Sequence, residues 1–420
     1  MSDAIDDETG ESTRGERRLT TREAADLLGV KPETVYAYVS RGQLTSRRDP
    51  GGRGSTFDAA EVDALVRRGR RESATGGGDP VPRIRTGITL IEGDRYYYRG
   101  VDATELARAF RYEEIADWLW TGSLDPGVRF TAPAEALAAA RRSVAALPAH
   151  SGSTDRLRVA AVAAAVADPL RFDLSPAAVL GTARSLIPTL VDALPTVGGP
   201  ARGDAGVAGR LWPKLTERVP GEAGLRTLDM ALSLLIDHDL AASTLAVRVA
   251  ASARAHPYAV VSAGLGALDG PLHGAASGLA HRMLTEVLER GSAAAVVADH
   301  LRAGRRVPGL GHRIYPGPDP RAVALFAVLR ELPGAEPVLT AAREVEATTA
   351  RHVRLHANID LALAALSVIT GMAADAGETV FAVARTAGWI AHALEEYGER
   401  PLRMRPVGQY SGPRPPGQLP

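Results

Sequence analysis

The sequence predicts a mainly α-helical protein, in which a small winged helix-turn-helix domain precedes a large helical body. Three observations favour this class. Apolar residues recur every three or four positions in most long segments, as expected of helices that bury one face. Only Ile88–Gly100 has the pattern of a short hairpin. A Gly- and Arg-rich stretch without an apolar period separates the two parts of the chain.

The composition excludes several classes of protein. The chain has 420 residues with a formal net charge of zero, which argues against a whole-chain nucleic-acid coat or a polybasic membrane binder. The lack of cysteine excludes disulfides, iron–sulfur clusters, thiolate zinc sites and cysteine nucleophiles. The acidic start is unlike a signal peptide, and the longest apolar stretch is too short to span a bilayer. We therefore expect a cytoplasmic protein without membrane contact.

Shifts in composition along the chain predict five segments. The first is too acidic and polar to fold, and the last is too rich in proline and glycine to be helical. We expect a disordered tail over 1–17, a winged helix-turn-helix domain over 18–70, a linker over 71–82, a helical body over 83–412 and a loose tail over 413–420.

The first folded segment has the pattern of two short helices, a wing and a third helix. Thr21 is expected to cap a helix over Arg22–Leu28, and a second helix follows between Lys31 and Arg41. A two-stranded wing and a helix capped by Asp58 complete the pattern. It resembles the MerR/excisionase-type winged helix-turn-helix family over 18–68.

This resemblance implies that the second helix enters the major groove of DNA. The candidate base readers are Thr34, Tyr36 and Tyr38, and the candidate phosphate or minor-groove contacts are Arg47, Arg48 and Arg53. Residues 14–72 carry 13 basic and 9 acidic residues, a net charge of +4, so one copy should bind DNA weakly and in a salt-sensitive way. A protein-contact module with the same fold stays open as an alternative.

The body places several charged and titratable residues in unusual settings. Glycines flank His273 and His312, and flanking glycines let backbone and ligand approach an imidazole closely. His238 lies between two aspartates, and Asp360 opens an apolar helix. Arg385 interrupts another apolar helix, so its guanidinium needs an anion, either a bound carboxylate or a buried ion-pair partner.

These residue types suit one reaction class. A carboxylate can remove the proton α to a thioester while a neutral histidine stabilises the enol, and a second histidine can polarise a ketone. Arginines can hold the carboxylates of an oxoacid. No metal-ligand spacing is present, so no metal is expected. Six other histidines are assigned to surface or packing positions: His256, His281, His300, His352, His356 and His392.

Several segments of the body resemble the citrate synthase family. They include DHDLAASTLAVRVAASA (237–253), GALDGPLHGAASGLA (266–280), RRVPGLGHRIYPGPDPRA (305–322), HANIDLALAAL (356–366) and FAVARTAGWIAHALEEY (381–397). The resemblance implies a homodimer with large and small helical domains, the small one at about 276–380. It also implies condensation of acetyl-CoA with oxaloacetate, both as substrates, without a further cofactor.

The resemblance also implies a role for individual residues. His273 would stabilise the enol of the thioester, His312 would polarise the keto group, and Asp360 would be the base. The oxoacid would be bound by His238, Arg321 and Arg385, and by Arg405 reaching into the partner subunit's site. Arg306 and Arg313 would lie near CoA.

Departures from the family pattern leave two alternatives open. The apolar run after Asp360 leaves room for one more methyl group, which suggests a 2-methylcitrate synthase that uses propionyl-CoA. Ala241 and Pro316 stand where the family usually has an asparagine and a basic residue. Together with the domain fusion, they suggest a DNA-binding regulator whose body senses oxaloacetate or acyl-CoA.

Overall fold

The computed structural model describes residues 18–28, 30, 32–40, 43–48, 54–65, 84–200, 206–270 and 276–412. The segments expected over 1–17, 71–82 and 413–420 lie outside these residues, as do His273 and Arg53. The chain divides into two compact units, Met1–Arg85 and Thr86–Pro420. The expected small domain within the second unit stays a prediction.

The first unit is a helix-turn-helix with an antiparallel sheet of three strands. Its strands are β1 (Arg18–Thr20), β2 (Ser46–Arg48) and β3 (Ser55–Asp58), in the order β1-β3-β2, and its helices are α1 (Thr21–Leu28), α2 (Pro32–Ser40) and α3 (residues 59–65 as described). The two wing strands were predicted. Strand β1 was not, because three residues are too few to show a period.

Local caps and a small apolar core hold this unit together. The carboxylate of Glu23 accepts the N–H of Thr20 at 2.8 Å, and the Thr20 hydroxyl accepts the N–H of Glu23 at 3.3 Å. This reciprocal capping box makes Thr20, and not the expected Thr21, the cap of α1. Asp58 caps α3 through the N–H of Ala60 at 2.7 Å, as predicted. The buried core consists of Leu19, Ala24, Ala25, Val35, Leu44, Phe57, Val62 and Leu65.

The second unit opens with a small sheet and continues in helices. Its strands are β4 (Thr89–Glu92), β5 (Arg95–Tyr98) and β6 (Val101–Asp102), and the first two form the predicted hairpin. The helices are α4 (Ala103–Ala109), α5 (Tyr112–Thr121), α6 (Ala134–Ala145), α7 (Ser153–Val166), α8 (Pro176–Ala193), α9 (Val207–Leu215), α10 (Glu222–Leu234), α11 (Ala242–Ser252), α12 (Pro257–Leu268), α13 (Ala276–Arg290), α14 (Ala293–Arg302), α15 (Pro320–Leu329), α16 (Ala335–Ala350), α17 (Ile359–Thr370) and α18 (Ala376–Gly398). Within the described residues, none of these helices has the length and apolar character that spanning a bilayer requires.

Helix α18 lies at the centre of this unit and is buried along most of its length. The Tyr112 hydroxyl and the Trp120 indole N–H of α5 donate hydrogen bonds to its backbone carbonyls. Its Trp389 is fully buried against Gly264 of α12, where a Cβ would lie 2.7–2.9 Å from the indole ring. Close approach of α12 and α18 therefore depends on the missing side chain at position 264.

Replacing Gly264 with alanine is expected to lower the free energy of unfolding by about 1–3 kcal/mol, because the methyl group overlaps the Trp389 ring. Gly181→Ala in α8 is the matched control, since no atom lies within 4 Å of a Cβ there. That change should raise the free energy of unfolding by about 0.5–1 kcal/mol. Urea unfolding followed by tryptophan fluorescence measures both, because all four tryptophans lie in the second unit. An unchanged midpoint for Gly264→Ala would mean that α12 and α18 separate at little cost.

Candidate active site

Two glycines shape the loop that carries His312. Gly309 and Gly311 have φ values of 75° and 80°, a left-handed backbone that favours glycine. A Cβ on Gly309 would lie 2.8 Å from the Cβ of Leu361, and one on Gly311 would lie 3.1 Å from Leu355. The glycines therefore serve the close packing of this loop against α17 and the segment before it.

The Asn358 side chain ties this loop to the start of α17. Its Oδ1 accepts the N–H of Asp360 at 3.0 Å and so caps the helix, while its Nδ2 donates to the carbonyl of Gly311 at 2.8 Å. The backbone N–H of Asn358 donates to Gly309 at 3.0 Å. One residue thus fixes the His312 loop relative to the helix that carries Asp360.

The hydrogen bonds of His312 determine its tautomer. Nδ1 accepts the backbone N–H groups of Ile314 at 3.1 Å and Tyr315 at 3.4 Å, so the ring proton of a neutral imidazole lies on Nε2. Burial, followed by the nearby charge of Arg321, lowers the pKa of His312 and favours the neutral ring. Nε2 lies 3.3 Å from Nη2 of Arg321. Because Nη2 makes its shorter bond to Asp319, at 2.8 Å, its contact with Nε2 is a close approach of two donors, which favours an acceptor oxygen beside them.

His238 lies beside His312, in the loop that follows α10. The two rings are perpendicular with their centres 5.2 Å apart, and Nε2 of His238 lies 2.8 Å from the Tyr315 hydroxyl. His238 is only 8% exposed. Burial, followed by the charges of Arg321 and Arg385, holds the pKa of His238 well below its usual range. Both histidines are therefore neutral next to two guanidinium groups.

A buried ion pair orients Arg321. Its Nε and Nη2 donate to the two carboxylate oxygens of Asp319 at 3.0 and 2.8 Å. Asp319 also accepts the N–H of Ile359 at 3.1 Å and so joins the starts of α15 and α17. Burial favours the neutral acid, but Arg321 outweighs it and lowers the pKa of Asp319. No described residue accepts a hydrogen bond from Nη1 of Arg321, which leaves this group for a ligand.

Three residues on one face of α18 hold the loop that carries His238. Positions 385, 388 and 392 recur at helical spacing. They meet three successive loop residues, Leu235, Ile236 and Asp237. Nε of Arg385 donates to the first carbonyl at 2.9 Å, a Cβ on Gly388 would lie 2.0 Å from the second, and Nε2 of His392 lies 3.2 Å from the carboxylate of the third. This contact sets the position of the loop.

Arg385 is almost fully buried on this face. Its guanidinium carbon lies 4.5 Å from the centre of the Phe381 ring, and burial lowers its pKa. Neither Nη group donates to another described residue. The sequence analysis expected a bound carboxylate or an ion-pair partner for this guanidinium, and no carboxylate lies within ion-pair distance of it among the described residues. The Nη groups are thus available to an anionic ligand.

Asp360 is the second residue of α17 and is half-buried. No described residue donates a hydrogen bond to its carboxylate. Burial raises its pKa to about 6, with Arg321 lowering the pKa and Asp319 raising it further. A carboxylate with a pKa near 6 and no bound donor can accept a proton from a ligand near neutral pH.

Three predicted site residues, Arg306, Arg313 and Arg405, form no hydrogen bond or ion pair with this cluster among the described residues. Arg306 and Arg313 are exposed on either side of the His312 loop, and Arg405 is exposed beyond α18. No contact of their side chains with the cluster occurs in the described part of the chain. His273 belongs to the connection between α12 and α13, outside the described residues. The roles of these four residues stay predictions.

The predicted DNA contacts lie in the first unit. Thr34, Tyr36, Arg47 and Arg48 are exposed, whereas Tyr38 is half-buried against the core of the unit. The Tyr36 ring packs edge-on against Phe57, and its hydroxyl lies 3.3 Å from that of Thr21. Arg53 lies outside the described residues. A role in DNA contact stays a prediction for all six.

His392, which was assigned to the surface or to packing, is a packing residue that also makes polar contacts. Its side chain is fully buried, and its two ring nitrogens face Asp237 and Nη1 of Arg248, the latter at 2.7 Å. One available signal was its spacing of seven from Arg385 within an apolar helix, which places both on one face.

Two cavities lie beside the cluster. The larger, of about 590 Å³, is bordered by α4, α9, α10 and α15 and includes Asp229. The smaller, of about 300 Å³, is bordered by α15, α16 and α17 and includes Leu361. Neither is lined by the histidines or arginines of the cluster. Over the described ranges, no group of three or more His, Cys, Asp or Glu residues is arranged to hold a metal ion.

Comparisons with known proteins match both units. The family model "Citrate synthase, C-terminal domain" matches residues 77–407, and the model "Helix-turn-helix domain" matches residues 18–70. Citrate synthase of Haloferax volcanii is 32% identical over 350 residues, which cover 77% of this chain and 92% of that protein. Citrate synthase 2 of Bacillus subtilis is 29% identical, over 81% of this chain and 96% of that protein.

Solved structures match the second unit over nearly their whole length. The crystal structure of citrate synthase from Thermotoga maritima gives a TM-score of 0.65 at 28% identity and covers 82% of this chain and 98% of that one. A ternary complex of the Thermoplasma acidophilum citrate synthase with carboxymethyl coenzyme A and oxaloacetate gives a TM-score of 0.67 at 22% identity, which shows a likeness of fold. The match covers 83% of this chain and 98% of that one. The predicted fold class, a citrate-synthase-like helical body after a helix-turn-helix domain, is confirmed.

Replacing Asp360 with asparagine is expected to stabilise the protein at neutral pH. The folded-state pKa of about 6 exceeds the unfolded value of about 3.9. The folded protein therefore loses stability as the pH rises through 6, because ionising this carboxyl group costs more in the folded state than in the unfolded state. The difference in pKa corresponds to about 3 kcal/mol. In thermal unfolding, the Tm of the variant should equal that of the wild type below about pH 4 and exceed it by the full amount above about pH 7.

Asp94→Asn, at an exposed residue of the β4–β5 turn, is the control for loss of a carboxylate. A difference in Tm between Asp360→Asn and the wild type that stays constant from pH 4 to pH 8 would contradict the raised pKa of Asp360.

Proposed function

The chain belongs to the citrate synthase family of acyltransferases, and from this premise we propose that it condenses acetyl-CoA with oxaloacetate to give citrate and CoA. One observation carries the proposal. Two neutral histidines, His238 and His312, lie together with the available guanidinium nitrogens of Arg321 and Arg385. Asp360, a carboxylate of raised pKa, lies close enough for its charge to interact with that of Arg321.

The arginines provide the binding site for the oxoacid dianion. Asp319 occupies Nε and Nη2 of Arg321, and the Leu235 carbonyl occupies Nε of Arg385. The remaining nitrogens of each guanidinium bind one of the two carboxylates of oxaloacetate, and His238 donates a hydrogen bond to the oxoacid. In the homodimer that we propose, Arg405 of the partner subunit adds a further cation.

The chemical steps use one base and two hydrogen-bond donors. Asp360 removes a proton from the methyl carbon of acetyl-CoA, and His273 stabilises the enol oxygen. The enol carbon then attacks the keto carbon of oxaloacetate, and the Nε2–H group of His312 hydrogen-bonds to the forming alkoxide. The alkoxide takes up one proton in exchange for the one that Asp360 removed. Water hydrolyses the resulting citryl thioester and releases citrate and the CoA thiol.

The exposed arginines beside the His312 loop suit the phosphates of CoA. Arg306 and Arg313 flank the loop on the surface, where guanidinium groups can reach a bound diphosphate. Their charges would hold CoA with its thioester directed toward Asp360. Apart from the two substrates and water, this scheme uses no further cofactor.

A 2-methylcitrate synthase that uses propionyl-CoA is the second candidate. The four residues after Asp360 are leucines and alanines, and the cavity of about 300 Å³ reaches Leu361. One methylene changes selectivity by only about 10–200-fold, so the same site can accept both thioesters. The ratio of kcat/KM for the two thioesters decides between them.

A DNA-binding regulator is the third candidate, from a different class. The helix-turn-helix domain over 18–70 favours it, with exposed Thr34, Tyr36, Arg47 and Arg48 on the second helix and the wing. A homodimer would pair two such domains for a two-fold operator. This role is compatible with turnover, since the body can both bind oxaloacetate and convert it.

Release of free thiol tests the proposed reaction. The full chain is mixed with oxaloacetate and either acetyl-CoA or propionyl-CoA, and a thiol reagent detects CoA without background because the protein has no cysteine. We expect release that requires both substrates and is faster with acetyl-CoA. Asp360→Ala should lower kcat at least about 100-fold because the base is lost. Asp94→Ala, in the exposed hairpin turn, should keep the wild-type rate.

An unchanged rate in Asp360→Ala would remove this residue from the mechanism. Thiol release without oxaloacetate would instead indicate a thioesterase. A higher kcat/KM for propionyl-CoA would favour the methylcitrate reaction.

Selection of genomic DNA fragments by the full chain, with and without oxaloacetate, tests the regulator. For a selected fragment, the double variant Arg47→Ala/Arg48→Ala should reduce the salt slope of binding by about 2, because two phosphate contacts are lost. Arg142→Ala on α6, an exposed arginine of the second unit, is the control. If no fragment is enriched with or without oxaloacetate, the regulator hypothesis fails.

A further inference from the structure

A chain of buried polar groups leads away from His238 along the contact between α11 and α18. The Asp237 carboxylate accepts the Thr89 hydroxyl at 2.6 Å and faces Nε2 of His392 at 3.2 Å. Nη1 of Arg248 reaches the other ring nitrogen of His392 at 2.7 Å. The Asp237, Arg248 and His392 side chains are at most 1% exposed.

Arg248 fixes the tautomer of His392. A guanidinium only donates, so Nδ1 of His392 must accept, and the ring proton lies on Nε2, directed at Asp237. A doubly protonated ring would place two donors against each other at Nδ1. Nε2 of His392 is therefore a donor to the Asp237 carboxylate, and this contact outweighs burial and lowers the pKa of Asp237.

The charge of Arg248 is balanced on its outer side. Its Nη1 donates to Glu395 at 2.7 Å, its Nε lies 3.3 Å from Glu396, and Arg403 holds Glu396 through two bonds of 2.8 and 2.7 Å. Apolar residues of similar volume often replace such buried groups without loss of stability. The network therefore needs a reason other than stability alone.

We propose that His392 is a positioning residue for oxoacid binding. It holds the carboxylate of Asp237, and through the adjoining backbone it sets the direction of the His238 imidazole. The Tyr98 hydroxyl also contacts the Asp237 backbone, at 3.3 Å from its nitrogen and 3.2 Å from its carbonyl oxygen, so the loop stays attached when the His392 bond is lost. The inference rests on the proposed function, in which His238 binds oxaloacetate.

Loss of the bond between His392 and Asp237 should weaken binding of the oxoacid and leave the rate of the chemical steps nearly unchanged. Asp360 and His312 are positioned by Asn358 and the glycine loop, and neither forms a hydrogen bond with His392 in the described part of the chain. Loss of the His392 bond should therefore raise KM and Kd for oxaloacetate while kcat and KM for acetyl-CoA change little. A purely structural role would lower the fraction of active protein and leave both KM values unchanged.

The experiment compares His392→Leu, His392→Gln and a control in the same helix. Leucine removes both hydrogen bonds, whereas glutamine can accept from Arg248 and donate to Asp237. The control is Thr386→Val, whose buried hydroxyl bonds only to the Ala382 carbonyl of its own helix at 2.9 Å. Calorimetry with oxaloacetate, steady-state kinetics and Tm are measured for each full-length variant.

We expect His392→Leu to raise Kd and KM for oxaloacetate roughly tenfold or more, as misplacement of a binding group does. His392→Gln should stay within about threefold of the wild type if it restores both bonds. Thr89→Val removes the other side-chain donor to Asp237 without touching α18, and it should raise the same two constants. It keeps the test available if the leucine variant fails to fold.

An unchanged Kd for oxaloacetate in folded His392→Leu, or equal increases in KM for both substrates, would overturn the inference. A wild-type protein that binds no oxaloacetate would refute the proposed function itself. The two failures are distinguishable. The inference about His392 fails only if the wild type binds oxaloacetate, whereas the proposed function fails if the wild type does not bind it.

Discussion

The close contact between α18 and the loop over 235–238 is the constraint on which the candidate site depends. A Cβ at Gly388 would lie 2.0 Å from the Ile236 carbonyl, so helix and loop touch backbone to backbone. Arg385 and His392 then bond to the loop on either side of that contact. Because protein interiors are close-packed, a shift of α18 would move His238 and Arg385 together. The parts of the candidate site that come from α18 and this loop are therefore fixed as one unit.

The pKa values in the site depend on burial and on which buried groups have a charged or hydrogen-bonding partner. The pKa values of Asp319 and Asp237 are lowered by neighbouring charges and hydrogen-bond donors despite burial. The pKa values of both site histidines, His238 and His312, are lowered by burial beside guanidinium groups. Asp360 lacks such bonds, and its charged form is disfavoured. The site thus combines unsatisfied donors with an unsatisfied base, an arrangement that costs stability in the free protein and is relieved by a substrate.

The two glycines beside His312 have a packing role that their sequence pattern did not reveal. Their pattern indicated close approach of a ligand to the imidazole. The structure shows that they admit a left-handed backbone and let the loop pack on α17, where Asn358 joins it to Asp360. His392 is the opposite case, since its polar role was missed although its helix was recognised. A buried histidine in an apolar helix has the same local pattern whether or not a carboxylate faces it.

The sequence by itself determined the elements whose information is local. Apolar periods predicted the helices, and turn patterns predicted the hairpin and the wing. Flanking glycines singled out His312, an apolar helix singled out Arg385, and the family resemblance added roles for His238, Arg321 and Asp360. Only the tertiary structure decided the partners of these residues. Asp237 and His392 are 155 positions apart, and Asp319 and Ile359 are 40 apart. A helical period records which face is buried and carries no information about what that face meets, because the partner is chosen by the packing of distant elements.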